Sequence, residues 1–303
     1  MRYKLYEHRY TFKGQFAYAA NCITHAMDML GHESVNDNPD LHIYNHTCRD
    51  IEPDMPDNSI IFKPTAPSGQ HFQICDLGYA NSSRITFDKP EYENRNLQSG
   101  EWNEIQEMVK RRVNKWDSVE GFKWEEASDD YFKWTIGELK DNHILIVGQT
   151  PDDETVKGFG FGNHWEKMCQ IIEKLKDRNL VIKLHPRVNR DEEKISQWQD
   201  DGHQVITGYV SVHSILQKTK VAIIENSTTG IECMMHDVPI ISYGYPDYHW
   251  ITKDLRILTR LNNYIDDMSW FSKDESRKFL AWYIYDYLCY DIPSTVKRLQ
   301  ELI

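Results

Sequence analysis

The chain has 303 residues, 40% of them hydrophobic and 27% charged, with a formal net charge of −12. At roughly 100–200 residues per domain this is material for about two globular domains, and the acidic balance argues against nucleic acid as a partner, because a polyanion-binding face shows as clustered Lys and Arg. No run approaches the ~18–20 apolar residues of a membrane span, and the opening MRYKLYEHRYTFKG lacks the apolar core of a signal peptide, so a cytoplasmic protein is expected.

Taken in chain order, Tyr3 to Tyr6 reads as a first strand. Gln15 to Leu30 reads as a helix, with Phe16, Ala19, Ile23, Ala26, Met27 and Leu30 at helical spacing. Short apolar runs at Leu41 to Tyr44 and Ile60 to Phe62 are strands between Pro- and Asp-rich turns, and TAPSGQHFQICDLGYANSS has loop character. Glu101 to Trp116 is helical; its basic knot, Lys110-Arg111-Arg112 with Lys115, is a solvated face or a local anion site. Residues 117–141 are acidic and aromatic without clear period and serve as a connection. The six cysteines (22, 48, 75, 169, 233 and 289) have no CxxC spacing and read as buried thiols rather than a zinc or disulfide framework.

From Asn142 the pattern becomes regular. Strands are expected at His143 to Val147, Leu180 to Leu184, Gln204 to Ile206, Val221 to Ile224 and Val238 to Ser242. Between them lie helices at Asn163 to Asp177, Glu192 to Trp198, Val212 to Lys218 and a short segment ending at His236. This alternation implies a doubly wound parallel sheet, whose ligands sit beyond the carboxyl ends of its strands. The loops there are Gly148-Gln149-Thr150-Pro151-Asp152-Asp153-Glu154-Thr155, His185-Pro186-Arg187, Asn226-Ser227-Thr228-Thr229-Gly230 and Gly244-Tyr245-Pro246-Asp247-Tyr248. The hydroxyl-rich turn before the last helix has two readings: a phosphate seat on unpaired N–H groups, or a plain N-cap. Residues 275–303 read as two helices split at Pro293, the second capped by Ser294.

These loops carry a family resemblance. Gln149, Asp153 and Thr155, then Lys183-Leu184-His185-Pro186, then Ser227, Thr228, Thr229, Gly230 and Glu232, and finally Gly244, Pro246, Tyr248, Trp250 and Thr252, stand in the order of a known pattern. With them the chain resembles the capsular polysaccharide synthesis family of β-Kdo glycosyltransferases. Asn114-Lys115-Trp116-Asp117 resembles that family's Ser-Lys-Tyr-Asn more loosely. The match covers about residues 143–252, and the Gly-rich stretch usual after the Tyr is shortened here to His249-Trp250-Ile251.

The resemblance implies an α/β fold of GT-B type, two Rossmann-like doubly wound domains facing a cleft. The division expected from it is an acceptor-side domain at 1–135, a nucleotide-sugar domain at 136–275, and helices at 276–303 crossing back to the first domain. It implies a CMP-activated donor, CMP-Kdo first among candidates, with Asp153 as the nucleophile that takes the sugar as a covalent adduct and yields it with retention. Gln149 would orient Asp153 or bind the sugar carboxylate. Lys183, His185, Pro186, Asn226, Ser227, Thr228, Thr229, Glu232 and Tyr248 would hold the donor. The alternatives stay open: Asp152-Asp153 as an acidic turn, Asp153 as a base in an inverting reaction, Lys183, Tyr248 and Trp250 as structural residues, and Arg187 as a solvated cation. The acceptor, a saccharide or glycolipid, would meet the first domain near His8, Lys13, Gly14, Gln15 or His71. Neither a cofactor nor a metal is expected, because the phosphate-binding turn does the work of a divalent ion. Two further functions remain: another CMP- or CDP-dependent GT-B transferase (sialyl- or glycerophospho-), and a non-catalytic sugar- or nucleotide-binding module.

Overall fold

The computed structural model describes residues 1–6, 15–45, 56, 58–65, 74–81, 84–85, 91–113, 139–151, 156, 160, 162–185, 191–207, 212–246, 248–289 and 291–303. The chain divides into two compact units, one of Met1–Tyr92 with Ala281–Ile303 and the other of Glu93–Leu280.

The first unit contains strands β1 (Arg2–Tyr6), β2 (Glu33–Ser34), β3 (Leu41–Asn45), β4 (Ser59–Thr65), β5 (Ile74–Asn81) and β6 (Arg84–Ile85), with helix α1 (Gln15–Met29). They form one sheet in the order β2-β1-β3-β4-β5-β6. The β1, β2, β3 and β4 pairings are parallel, but β5 runs antiparallel to β4 and β6 to β5. The reading of 65–83 as loop is therefore corrected over Ile74–Asn81. Gly78 and Asn81 lower strand propensity locally, yet a ladder from Ser59↔Ala80 to Thr65↔Ile74 pairs the segment along its length. The core of this unit joins Tyr3, Ile23, Met27, Ile43, Ile60 and Phe62 to Cys289 and Leu299 near the carboxyl terminus.

The second unit opens with α2 (Ser99–Val113) and continues through β7 (His143–Val147), α3 (His164–Lys174), β8 (Leu180–Lys183), α4 (Glu192–Asp200), β9 (Gln204–Ile206), α5 (Val212–Leu216), β10 (Thr219–Ile224), α6 (Thr229–Met235), β11 (Ile240–Ser242), β12 (Lys253–Asp254), α7 (Leu261–Asp266) and most of α8 (Lys273–Trp282). α2 groups here rather than on the amino-terminal side of a boundary at 135/136. Gln106 Nε2 donates to the Met235 carbonyl at 3.3 Å, and the Arg277 guanidinium lies 4.1 Å above the Trp102 ring. The six strands, in the order β12-β11-β10-β7-β8-β9, are parallel at every pairing. β7 is buried at all five residues, as a strand covered on both faces must be. Ile146, Ile182, Val221 and Ile223 pack there with Met168, Ile172 and Trp198. α3 starts at Asn163, whose side chain accepts the Glu166 N–H at 3.2 Å.

The last helix, α9 (Ile292–Leu302), is capped by Asp291, correcting Ser294. Asp291 Oδ1 accepts the Ser294 N–H at 2.9 Å while Ser294 Oγ accepts the Asp291 N–H at 3.0 Å, a reciprocal capping box with Pro293 inside the first turn. Cys22, Cys233 and Cys289 are buried thiols, and Cys169 is a partly buried one. Among the described residues, no helix is long and apolar enough to cross a membrane.

Candidate functional site

Because the second sheet is wholly parallel, the carboxyl ends of all its strands lie along one edge. Two of the loops there are tied together by side chains. Gln149, two residues past β7, donates from Nε2 to Asn226 Oδ1 at 2.7 Å, and its Oε1 accepts the Asn226 N–H at 2.9 Å. Asn226 is two residues past β10 and only 8% exposed. A primary amide facing a peptide N–H and a second amide satisfies both partners at once, so the pair acts as a two-point clamp across 77 residues of sequence. Next to it the Thr150 hydroxyl lies 3.2 Å from His185 Nδ1, drawing in the loop after β8. The structure thus brings Gln149, Thr150, His185, Asn226 and Ser227 into one contiguous run.

The turn before α6 is built from within. Ser227 Oγ accepts the Thr229 N–H at 3.2 Å and bonds to Thr229 Oγ1 at the same distance. Thr228 is the formal N-cap but makes no side-chain cap bond, and its side chain is exposed. Beneath the turn lies Tyr248, 0% exposed, whose hydroxyl donates to the Ser227 carbonyl. Its ring fills the space where a side chain at Gly230 would begin. Tyr248 therefore supports the turn from the core, the structural one of its two readings. Hydrophobic spacing alone does not separate these roles, since an aromatic after Gly-x-Pro suits either.

Lys183 ends β8 partly buried. Burial pushes its ammonium below the usual lysine value, and the Glu232 carboxylate opposes that shift. Glu232, in the first turn of α6, has Oε1 3.7 Å from His213 Nε2. Glu232 is thus placed between α5 and β8. Asp153, Asp152, Thr155, Pro186 and Arg187 lie outside the described residues, as do His8, Lys13, Gly14, His71 and the segment 114–117. Gln15 begins α1.

Three features of this edge are not evident in the sequence motifs. Thr150 is the hydroxyl that reaches His185. Tyr245, after β11, is an exposed aromatic, 46% accessible. It stacks on His249 at 4.1 Å, and the Trp250 ring lies tilted against His249 at 3.9 Å, with His249 Nδ1 donating to the Pro246 carbonyl at 3.0 Å. The third is a buried histidine–carboxylate pair, His164 with Glu225, directly behind Gln149. Among the described residues, no group of three or more His, Cys, Asp or Glu side chains is arranged to hold a metal ion.

The model of a family described as capsule polysaccharide biosynthesis protein matches residues 76–269, a span that contains the second sheet and every loop named above. The chain belongs to this family. No curated protein matches it in sequence. Among solved structures, this capsule-family chain is similar to the β-Kdo 2,7 transferase of Thermosulfurimonas dismutans KpsC, at 12% identity and a TM-score of 0.57, over 99% of each chain. It is also similar to the β-Kdo 2,4 transferase of the same KpsC, at 13% identity and a TM-score of 0.47, over 99% of this chain and 98% of that one. The first likeness shows a shared fold of GT-B type.

Proposed function

We propose that this capsule-family protein is a glycosyltransferase that moves Kdo from CMP-Kdo to a saccharide or glycolipid acceptor, with retention, in surface polysaccharide synthesis. The observation that carries the reading is the clamp of Gln149 on Asn226. It draws together the segment leading to Asp153 and the Ser227-Thr228-Thr229 turn, the two parts that a sugar transfer from a nucleoside monophosphate needs side by side.

In this reading the donor's phosphate rests against the hydroxyls of Ser227, Thr228 and Thr229, with His185 beside it, and their dipoles meet the charge that grows as the glycosidic bond breaks. The Asp153 carboxylate attacks the anomeric carbon, a carbon–oxygen bond to the aspartate forms, and CMP leaves with the bonding electron pair. An acceptor hydroxyl then displaces the aspartate and gives its proton to solvent or to a nearby base, so two inversions leave the configuration retained. Gln149 spends one donor and one acceptor of its amide on Asn226. Its role is to hold the loops in place, which suits a reaction whose barrier falls steeply with correct positioning. Tyr245 offers a rigid exposed face on which the donor's base or sugar ring stacks.

Intact-protein mass spectrometry after incubation with CMP-Kdo tests the proposal. A gain equal to one Kdo residue, absent in Asp153→Asn, is the expected result. Adduct formation or cleavage with CMP-sialic acid or CDP-glycerol but not with CMP-Kdo would overturn the donor. Binding of CMP without cleavage of any of the three would replace the enzyme by a binding module.

A further inference from the structure

The mechanism above makes no use of Glu225, and yet the fold goes to some length to keep its carboxylate. Glu225 is 0% exposed. Gly160 and Gly244 close over it as a bridged antiparallel pair. A Cβ on Gly160 would lie 2.5 Å from Glu225 Oε1, and one on Gly244 would lie 2.6 Å from Glu225 Cγ. Any side chain at either position would displace the carboxylate. One carboxylate oxygen, Oε2, is bonded to His164 Nδ1; the other, Oε1, has no hydrogen-bond partner among the described residues. Burying a carboxylate wholly out of solvent is costly, and an apolar side chain would fill the same slot more stably.

The return on that cost is orientation. His164 Nε2 lies 2.9 Å from the Gln149 backbone nitrogen. A peptide N–H only donates, so Nε2 is the bare acceptor and the ring proton sits on Nδ1. There it points at Glu225, which as a carboxylate only accepts. The Tyr243 ring stacks on the imidazole with centroids 6.1 Å apart, and its hydroxyl is 3.4 Å from Nδ1. Burial, with the Glu225 charge adding to it, holds that phenol well above its ordinary value, so it remains a neutral O–H. Lys167, on α3, is the cation whose charge feels Glu225. The bonds then close a ring: the Gln149 N–H to His164, His164 to Glu225, the peptide bond to Asn226, and Asn226 back to the Gln149 side chain.

We propose that His164 and Glu225 are positioning residues for the transfer reaction, fixing the Gln149 backbone, and through it the approach to Asp153, by holding the imidazole in its Nδ1–H form. This rests on the glycosyltransferase reading for its chemistry, although the ring itself does not. Neither residue needs to touch the sugar. The logic is that of a carboxylate that sets a histidine's tautomer and direction, transposed from a proton-transfer pair to a loop anchor. The Ser227 turn has separate support from Tyr248, so the effect falls on the placement of the attacking group more than on the nucleotide seat.

Two measurements test it. Nitrogen-15 NMR of histidine-labelled protein, with no donor present, reads the His164 tautomer at neutral pH; the Nδ1–H form is expected, and the Nε2–H form would overturn the proposal. In Glu225→Gln the amide can turn its NH2 toward Nδ1, which moves the ring proton to Nε2, opposite the Gln149 N–H, and breaks that bond. The expected result is a kcat for transfer lower by about 10–100-fold, with the donor KM changed less than about threefold, the melting profile still cooperative, and faster hydrogen exchange at the Gln149 amide. A kcat within twofold of wild type in that variant, or unchanged exchange at Gln149, also overturns it. If the variant does not fold, the wild-type tautomer still decides. Should CMP-Kdo prove not to be the donor, the reaction assignment fails while the tautomer and exchange results stand or fall on their own.

Discussion

The two edges of the second sheet set buried and partly buried histidines in different surroundings. Along the edge where the strands begin, three of them are neutral fittings. His143, the first residue of β7, bonds the Lys140 carbonyl at 2.9 Å and the Thr219 hydroxyl at 2.8 Å. His203 lies just before β9, and His236 caps α6, in contact with His213 at 3.0 Å. Burial lowers the pKa of all three, most for His236, which is held at about 4. Along the edge where the strands end, His164 faces a carboxylate and a backbone N–H from another loop. For His143 a carbonyl and a hydroxyl are partners enough. A carboxylate held wholly out of solvent next to a side-chain clamp belongs to an edge shaped for something besides stability.

The contrast can be broken experimentally. The largest effect is expected at the carboxyl edge: Asp153→Asn should lower transfer by on the order of 10³-fold or more while leaving the melting temperature nearly unchanged, as seen when a reacting group alone is removed. Steady-state kinetics with calorimetry reads both. Acid is expected to act next, and through the opposite edge. His236 is near 4 in the folded chain and near 6.5 when unfolded, so between these values only the unfolded state takes up a proton. Stability is then full above about 6.5, falls as pH drops, and levels below about 4, a loss of about 3 kcal/mol at roughly 1.4 kcal/mol per pKa unit. Denaturation midpoints at pH 7.5 and 4.5 should show this slope, and His236→Asn should reduce it, leaving the part that His143 and His203, lowered in the same direction, contribute; carboxylates lowered by their bonds, such as Asp291, enter only at lower pH.

Gln149→Ala should cost about 30-fold in kcat, near 2 kcal/mol, because both loops lose the clamp. If it shifts only stability, the carboxyl edge is no different in kind from the other. The smallest expected effect is that of His143→Ala, about 1–2 kcal/mol of stability from the lost hydrogen bonds, with kcat within twofold. A large fall in kcat there would erase the distinction from the other side.

Much of this architecture is legible in the amino-acid sequence, and the illegible part has a common cause. The parallel alternation from β7 to β11 can be read because burial on both faces forces β-branched runs, while helices covering them show a period near four. β5 escapes such reading because its Gly, Asp and Asn weaken the local signal that pairing with β4 overrides. The loops are found by their place at strand ends. What their side chains do is not: Tyr248 turns inward, and Gln149 reaches across to Asn226.

Sequence by itself determined the parallel character of the second sheet and which loops and motif residues follow its strands, since periodicity and strand-end position are properties of contiguous chain. Only tertiary structure decided that Glu225, His164, Gln149 and Asn226 form a closed ring. Its members come from three segments up to 77 residues apart, and a hydrogen bond depends on distance and direction in space, which no local pattern encodes.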